Sequence, residues 1–219
     1  MKRPRHPLLD GLPPETLERL AVYEALLLKW VRTINLVSPS TLSEIWVRHF
    51  ADSLQVCAAA PAARRWLDLG SGAGFPGLVT AIRLAGEPSA EVHLIESDQR
   101  KCAFLRAVSR ETGAGAIVHC GRIEAVVPQL AVDIEAVSAR ALAPLPQLVA
   151  YAEPFLRKGA VGVFSKGANA QLELTQVEAA GTYQLRSAPS LTRDLAQIVV
   201  VERRDARAVP TGASSEPSF

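Results

Sequence analysis

The hydrophobic positions of the chain follow one period before about residue 65 and another after it. In residues 13–32, leucine and valine recur at helical spacing behind Pro13-Pro14, which predicts an amphipathic helix. Residues 41–59 show similar spacing behind Thr41-Leu-Ser-Glu44, a capping-box sequence, and predict a second helix. Together they predict an N-terminal helical cap over residues 13–62.

From residue 65 onward, short apolar runs alternate with amphipathic segments. The predicted strands are 65–69, 91–96, 116–120, 134–138, 160–165, 182–187 and 196–202, and the predicted helices between them are 77–85, 98–112, 144–157 and 168–180. This alternation predicts an α/β fold with a mostly parallel sheet covered by helices on both faces. The last two strands leave no room for a full crossover helix, so we expect them to pair antiparallel.

The composition predicts one domain. The chain has 219 residues, of which 48% are hydrophobic and 21% charged, enough to build a single core and too apolar for disorder. We expect residues 63–203 to form the main α/β unit, compact with the cap. Residues 1–12 and 204–219 are predicted to be a flexible lead-in and a flexible tail.

Charge and cysteine content exclude several classes of protein. The net charge of +2 excludes a polycation, so any nucleic-acid contact must come from local patches. Three cysteines without C-x-x-C spacing favour neither a disulfide framework nor a metal site. With no targeting segment and no apolar run of about 18 residues, we expect a cytoplasmic protein without a membrane span, and we expect it to be a monomer.

The clearest local signal is a glycine loop, Trp66-Leu-Asp-Leu-Gly-Ser-Gly-Ala-Gly-Phe-Pro-Gly77, between the first predicted strand and the next helix. Glycines allow a tight turn there and let a ligand approach the backbone. Gly72, Gly74 and Gly77 match the G-x-G-x-x-G dinucleotide fingerprint, and Glu96 follows at the distance expected of a ribose ligand. Both a nicotinamide dinucleotide and S-adenosylmethionine fit these features.

Asp68 favours the second ligand. It directly precedes the loop, where a carboxylate would repel a pyrophosphate but attract a cationic amino group and a sulfonium. The strand ends supply further candidates for a donor pocket, namely Ser97, Ile123, Glu124 and Arg140. For Arg140 a surface ion pair is the alternative, and for Glu124 a solvated helix start.

Beyond these residues the chain resembles a known family. The segments Asn35-Leu36, Arg48-His49-Phe-Ala-Asp52-Ser53-Leu54 and Asp68-Leu-Gly-Ser-Gly-Ala-Gly-Phe-Pro-Gly77 resemble the bacterial small-subunit ribosomal RNA guanine-N7 methyltransferases, also called glucose-inhibited division protein B. Further matches, collinear over about residues 20–202, are Glu96-Ser97, Arg100-Lys101, Gly121-Arg-Ile-Glu124, Ala139-Arg140 and Lys166-Gly167.

The resemblance implies a Rossmann-like class I methyltransferase fold with a seven-stranded sheet and a helical cap. It implies methyl transfer from S-adenosylmethionine to N7 of one guanosine in 16S rRNA, with that rRNA or the small ribosomal subunit as partner. Gly70 and Phe75 would then line the donor site, Ile123-Glu124 would lie at the adenine, and Arg140 beside the reacting end.

Several basic residues are candidates for RNA binding. Arg100 and Lys101 open a basic helix, and Arg122 and Lys166 are predicted near the same sheet edge. A solvated basic face is the alternative, but the family context favours phosphate contacts. His49 could contact RNA or the carboxylate end of the donor, or could serve only the structure.

Guanine N7 has an in-plane lone pair and no proton, so its methylation needs positioning rather than a general base. The sequence agrees, because it contains no Pro-Cys dipeptide and no Asn/Asp-Pro-Pro-aromatic loop after the fourth strand. Two other hypotheses stay open at this point: an NAD(P)-dependent oxidoreductase using the same loop, and a non-catalytic S-adenosylmethionine-binding module.

Overall fold

A computed structural model, which describes residues 4–205, contains a seven-stranded sheet. Its strands are β1 (Arg65–Leu69), β2 (Glu91–Glu96), β3 (Ile117–Cys120), β4 (Ala136–Arg140), β5 (Val161–Lys166), β6 (Tyr183–Pro189) and β7 (Gln197–Arg203). They lie in the order β3-β2-β1-β4-β5-β7-β6. Strands β1 to β5 are parallel, and β7 is antiparallel to both β5 and β6. The predicted antiparallel closing pair is therefore confirmed.

The helices are α1 (Pro7–Asp10), α2 (Pro14–Trp30), α3 (Asp52–Ala58), α4 (Gly77–Leu84), α5 (Gln99–Thr112), α6 (Ile123–Val126), α7 (Leu145–Leu156) and α8 (Ala170–Glu178). Short 3-10 helices cover Pro39–Glu44 and Val127–Gln129, and a π-helical turn covers Trp46–Ala51. Asp98 caps α5 by accepting hydrogen bonds from two backbone amides of its first turn.

The predicted helix over 41–59 is wrong as a single regular element. The chain instead runs through a 3-10 helix, a π turn and α3 in succession. Eight consecutive residues, from His49 to Val56, are buried across the π turn and the first part of α3, so this segment is enclosed on all sides and not along one face only. Strand β4 also begins two residues later than predicted. Glu135, just before it, accepts hydrogen bonds from the backbone amides of Arg64 and Arg65.

The cap and the sheet share one hydrophobic cluster. Tyr23 and Leu27 of α2 pack with Phe50 of the π turn, and this group meets Phe75 of the glycine loop and Phe104 of α5. The cap is therefore part of the same core as the sheet, and its aromatic rings reach the glycine loop.

The chain termini depart in part from expectation. Residues 7–10 of the predicted flexible lead-in form α1, and Leu9 is fully buried, so this part is packed on the fold. Of the predicted tail only residues 204 and 205 are described, and 206–219 lie outside the described residues, as do 1–3. No helix between residues 4 and 205 has the length and apolar character that crossing a bilayer requires.

Candidate functional site

A cavity of about 520 Å³ opens at the carboxyl edge of the parallel strands. Eight of the ten predicted cofactor-binding residues line it: Gly70, Gly72, Phe75, Glu96, Ser97, Ile123, Glu124 and Arg140. Lys101 and Arg122, predicted to contact RNA, lie at the same cavity. Asp68 and Gly74 do not line it. The edge of an open α/β sheet where strand order reverses, here between β1 and β4, is the usual place for a ligand.

The glycine loop depends on backbone conformations that other residues rarely adopt. The φ angles of Gly70, Gly72 and Gly74 are 62°, 57° and 94°. A Cβ on Gly72 would meet no atom closer than 3.8 Å, so the cavity side of the loop is open to a ligand. A Cβ on Gly74 would lie 2.5 Å from the hydroxyl of Tyr23. Gly74 thus serves the packing of the loop on the cap instead of lining the cavity.

Tyr23, on helix α2 of the cap, packs against the glycine loop and holds it in place. Its hydroxyl donates a hydrogen bond to the Ala73 carbonyl, and its ring stacks on Phe75 with centroids 5.3 Å apart. Burial raises the pKa of Tyr23 well above its usual value, so the hydroxyl stays protonated and remains a donor. The cap therefore fixes the position of the donor-binding loop.

Glu96, at the end of β2, joins the loop to the strand that follows it. One carboxylate oxygen accepts the Gly72 amide at 2.8 Å, and the other accepts the amides of Ser97 and Asp98, each at 2.8 Å. Glu96 is buried and lines the cavity. A carboxylate has roughly four acceptor positions, so these three bonds leave room for a hydroxyl of a ligand.

Asp68 lies beneath the loop and is not among the residues that line the cavity, so a direct contact with the donor stays a prediction. Its side chain is buried, and one oxygen accepts the Ser138 hydroxyl at 2.7 Å. The other oxygen has no hydrogen-bond partner among the described residues. Burial raises the pKa of Asp68 to about 6, even though hydrogen bonding to Ser138 lowers it. In this arrangement Asp68 would act on a ligand through its charge or through the loop.

Arg140, at the end of β4, is held by the cap. Its guanidinium donates to the Asp52 carboxylate at 3.0 Å and to the Arg48 carbonyl at 3.2 Å. It also meets His49 Nδ1 at 3.0 Å and lies 4.9 Å from the centroid of the Phe75 ring. Since Asp52 is fully buried, this is a buried ion pair between cap and sheet, not the surface ion pair considered as the alternative.

His49 is a buried part of this network, so the structure gives no support to a direct RNA contact. Its ring stacks on Phe75 with centroids 4.8 Å apart. Because Arg140 donates to Nδ1, we infer that Nε2 carries the proton and donates to the Thr41 hydroxyl at 2.9 Å. Burial, and then the charge of Arg140, lower the pKa of His49 to about 4. The ring is therefore neutral at physiological pH.

The far side of the cavity is formed by residues 121–124 and the start of α7. Ile123 is buried and supplies an apolar wall together with Leu142. Glu124 is exposed and accepts the Tyr151 hydroxyl at 2.6 Å, a bond that lowers the pKa of this carboxyl. This side therefore has an apolar surface with a carboxylate at its rim, which suits a purine ring.

The predicted RNA-binding residues divide into two groups. Arg100 and Arg122 are exposed, and Lys101 is half-buried at the cavity rim, so all three can meet a phosphate. Lys166 cannot do so freely. Its ammonium donates to the Ala143 carbonyl at 2.8 Å and pairs with Glu173 at 2.7 Å. These contacts hold the loop after β4, and an RNA contact by Lys166 stays a prediction.

Comparison with known proteins identifies the group to which this site belongs. The family model described as rRNA small subunit methyltransferase G (GidB) matches residues 16–197, a range that includes every cavity residue named above. The chain belongs to this family. Among its relatives, ribosomal RNA small subunit methyltransferase G of Methylorubrum populi is 52% identical over 187 residues, which cover 85% of this chain and 88% of that protein. The protein of the same name from Parvibaculum lavamentivorans is 51% identical over 183 residues, covering 83% and 80%.

Solved structures show the fold of the family independently. An SAH-bound methyltransferase from Podospora anserina superposes with a TM-score of 0.61 at 13% identity and covers 89% of this chain and 90% of that one. A methyltransferase from Geobacter sulfurreducens gives 0.59 at 15% identity, covering 89% and 93%. The predicted Rossmann-like methyltransferase fold is confirmed, and neither the oxidoreductase nor the non-catalytic alternative is supported.

Three residues of the site were not among the sequence candidates. Asp52 accepts a hydrogen bond from Arg140, and Ser138 donates one to Asp68. Tyr23 donates one to the Ala73 carbonyl of the glycine loop. Asp52 lies within the segment that carries the family resemblance, so that motif was a signal for it. Tyr23 occupies a helical apolar position indistinguishable by pattern from ordinary core.

Among the described residues, no group of three or more His, Cys, Asp or Glu side chains is arranged to hold a metal ion.

Proposed function

We propose that this protein transfers a methyl group from S-adenosylmethionine to N7 of a guanosine in 16S rRNA. Family membership over residues 16–197, with the cavity inside that range, is the observation that carries the proposal. The curated relatives carry the name of a small-subunit rRNA methyltransferase, and the assignment to guanine N7 rests on the sequence resemblance.

The residues present fit S-adenosylmethionine. The open side of Gly72 admits a ligand against the backbone. Glu96 keeps an acceptor position for a ribose hydroxyl beside Ser97, and Ile123 offers an apolar face to adenine. Bound there, the donor supplies an electrophilic methyl group on a sulfonium. Asp68 would contribute negative charge from beneath the loop.

Arg140 is the candidate positioning group for the acceptor base. A guanidinium has five N–H donors, and three are taken by Asp52, the Arg48 carbonyl and His49. The remaining two could donate to guanine O6 and so fix the base with N7 free. No proton has to be removed from N7, which explains why the site needs no general base.

The test is methyl transfer to 30S subunits from a strain lacking the enzyme, with nucleotide mapping by mass spectrometry. We expect one 7-methylguanosine in 16S rRNA. Gly72→Leu, which puts a side chain into the cavity, should abolish donor binding. Gly113→Leu is the matched control, because Gly113 has a similar φ of 62° and open space around it, away from the cavity. Absence of labelled guanosine with the unaltered protein would overturn the proposal.

We also propose that the enzyme acts as a single chain in the cytoplasm, where its rRNA substrate is found. Light scattering of the purified protein, alone and with donor, tests the oligomeric state.

A further inference from the structure

The loop between β6 and β7, which we call the Ser190–Leu195 loop, lies at the same edge of the sheet as the cavity. Strand β5 is parallel to β4, β7 is antiparallel to β5, and β6 is antiparallel to β7. Strand β6 therefore ends at the carboxyl edge, and the chain turns there into β7. The cavity takes up the part of this edge formed by β1 to β4, and the loop takes up the opposite end.

Buried side chains of α3 hold this loop in place. The Gln55 amide nitrogen donates to the Ser190 hydroxyl at 2.9 Å, and the Leu191 amide donates to the Gln55 carbonyl oxygen at 3.0 Å. The Thr192 hydroxyl donates to Asp52 at 2.8 Å. Asp52 is the residue that pairs with Arg140. One buried carboxylate thus fixes both the loop and the candidate positioning group for the acceptor.

The tip of the loop presents two leucines to solvent. Leu191 is 66% exposed and Leu195 is 79% exposed, the highest fraction among the large hydrophobic side chains described. Leu195 also has a φ of 58°, in the left-handed region that leucine rarely adopts. A firmly anchored loop that keeps leucines exposed and one of them strained is better explained by a partner than by stability.

The side chains at the tip of the loop bear on the chemistry of that partner. Arg193 lies between the two leucines in the sequence and is exposed, and so is the neighbouring Asp194, so the guanidinium is a local donor on a loop without net charge. The positive charge of Arg193 and that of Arg48 act on His49, which places both close to the Arg140 network. Apolar side chains beside a guanidinium suit a nucleotide, with the face of an unstacked base for the leucines and a phosphate for the arginine.

The acceptor chemistry requires a nucleotide of this kind. The N7 edge of guanine faces the major groove, which in A-form RNA is too deep and narrow for side chains. A guanosine methylated at N7 must therefore lie in an unpaired or opened segment, and its neighbours present free base faces.

We propose that the Ser190–Leu195 loop recognises the rRNA segment next to the acceptor guanosine. Leu191 and Leu195 pack against an unpaired base, and Arg193 binds a phosphate of the same segment. This inference rests on the proposed function, since it names the surface by which that site selects its RNA.

The experiment compares Leu191→Ala/Leu195→Ala and Arg193→Ala with the unaltered enzyme. Binding to naked 16S rRNA and to 30S subunits is measured together with KM, kcat and donor affinity. We expect the leucine variant to bind both RNAs about tenfold more weakly, because buried leucine surface is lost, and to raise KM, with kcat and donor affinity unchanged. Arg193→Ala should weaken binding and reduce the salt slope by about one.

Matched controls come from elsewhere on the surface. Leu172 on α8 is 67% exposed, so Leu172→Ala removes an equally exposed leucine, and Arg157→Ala removes an exposed arginine. Both should bind RNA normally. If the leucine variant bound RNA as tightly as the unaltered enzyme, or if Leu172→Ala lost as much RNA affinity, the RNA-binding role of the loop would be overturned while the proposed function would stand. A loss confined to 30S subunits would assign the loop to a ribosomal protein and overturn the RNA assignment. Absence of turnover by the unaltered enzyme would instead overturn the proposed function.

Discussion

Replacing Asp52 with asparagine tests the buried link between the cap and the sheet. The change keeps size and shape, and the asparagine oxygen can still accept from Gln55 and Thr192. What is lost is the negative charge 3.0 Å from the Arg140 guanidinium. The guanidinium then remains nearly buried with only neutral partners, the Arg48 carbonyl and His49.

The expected loss of unfolding free energy is about 3 kcal/mol, because removal of one partner leaves a buried charge uncompensated. Asp133→Asn is the matched control. Asp133 pairs with Arg65 at 2.9 Å, almost the same distance, but it is 65% exposed whereas Asp52 is fully buried. An exposed pair contributes less than about 1 kcal/mol, so the two identical substitutions should differ by at least 2 kcal/mol or so.

Urea unfolding of both variants, followed by tryptophan fluorescence and circular dichroism, measures this difference. Methyl transfer is measured in parallel, and we expect Asp52→Asn to lose activity more than donor affinity, since we propose that Arg140 positions the acceptor base. Equal losses of stability in the two variants, or a loss below about 1 kcal/mol for Asp52→Asn, would refute the argument that burial makes this pair strong.

Three further outcomes are expected. Gly74→Ala should destabilise the protein by about 2 kcal/mol more than Gly113→Ala, because both impose left-handed strain but only the first meets side-chain atoms at 2.5 Å. Thermal unfolding of the two variants measures the difference, and equal shifts of Tm would contradict the packing argument. His49, whose pKa lies at about 4, stays neutral in the folded state while the unfolded residue takes up a proton below about pH 6.5, so stability is lost as pH falls from about 6.5 to 4. Urea unfolding at several pH values should show that the free energy of unfolding falls less steeply between pH 6.5 and 4 in His49→Gln than in the unaltered protein. The same pH dependence in both proteins would contradict the lowered pKa of His49. Arg100→Ala/Lys101→Ala should weaken RNA binding and flatten its salt dependence; a loss of donor affinity with intact RNA binding would show that these residues serve the donor.

The order of strands and helices could be predicted because the spacing of hydrophobic residues shows which side of each segment is buried. Strands of a parallel sheet are buried on both faces and so stand out as short apolar runs. The π turn at Trp46–Ala51 could not be predicted, since its rings contact Phe75, which lies far away in the sequence and meets them only in the folded chain. The glycine loop was predictable for a related reason. Positive φ angles at Gly70, Gly72 and Gly74 require residues that are visible in the sequence.

The direction of charged side chains is where sequence reasoning was limited. Asp68 was expected to face the donor, but Ser138 lies opposite it in the β1–β4 register and donates a hydrogen bond to its carboxylate. Lys166 was expected to face RNA, but Glu173, one turn into the next helix, neutralises it. Both outcomes depend on partners that only the folded chain brings within reach.

The hydrogen bond from Thr192 to Asp52 also has a consequence for biosynthesis, because it joins residues 140 positions apart in the chain. Asp52 is synthesised long before Thr192, so a nascent chain can form α2, the glycine loop and β1 to β4 while Asp52 still lacks one of its partners. The entropy of closing so long a segment is overcome only near the end of translation. A chain released before residue 190 would therefore contain the glycine loop and the Arg140–Asp52 pair but lack β7 and the contacts of Ser190, Leu191 and Thr192 with α3, so the fold is completed by the last part of its own synthesis.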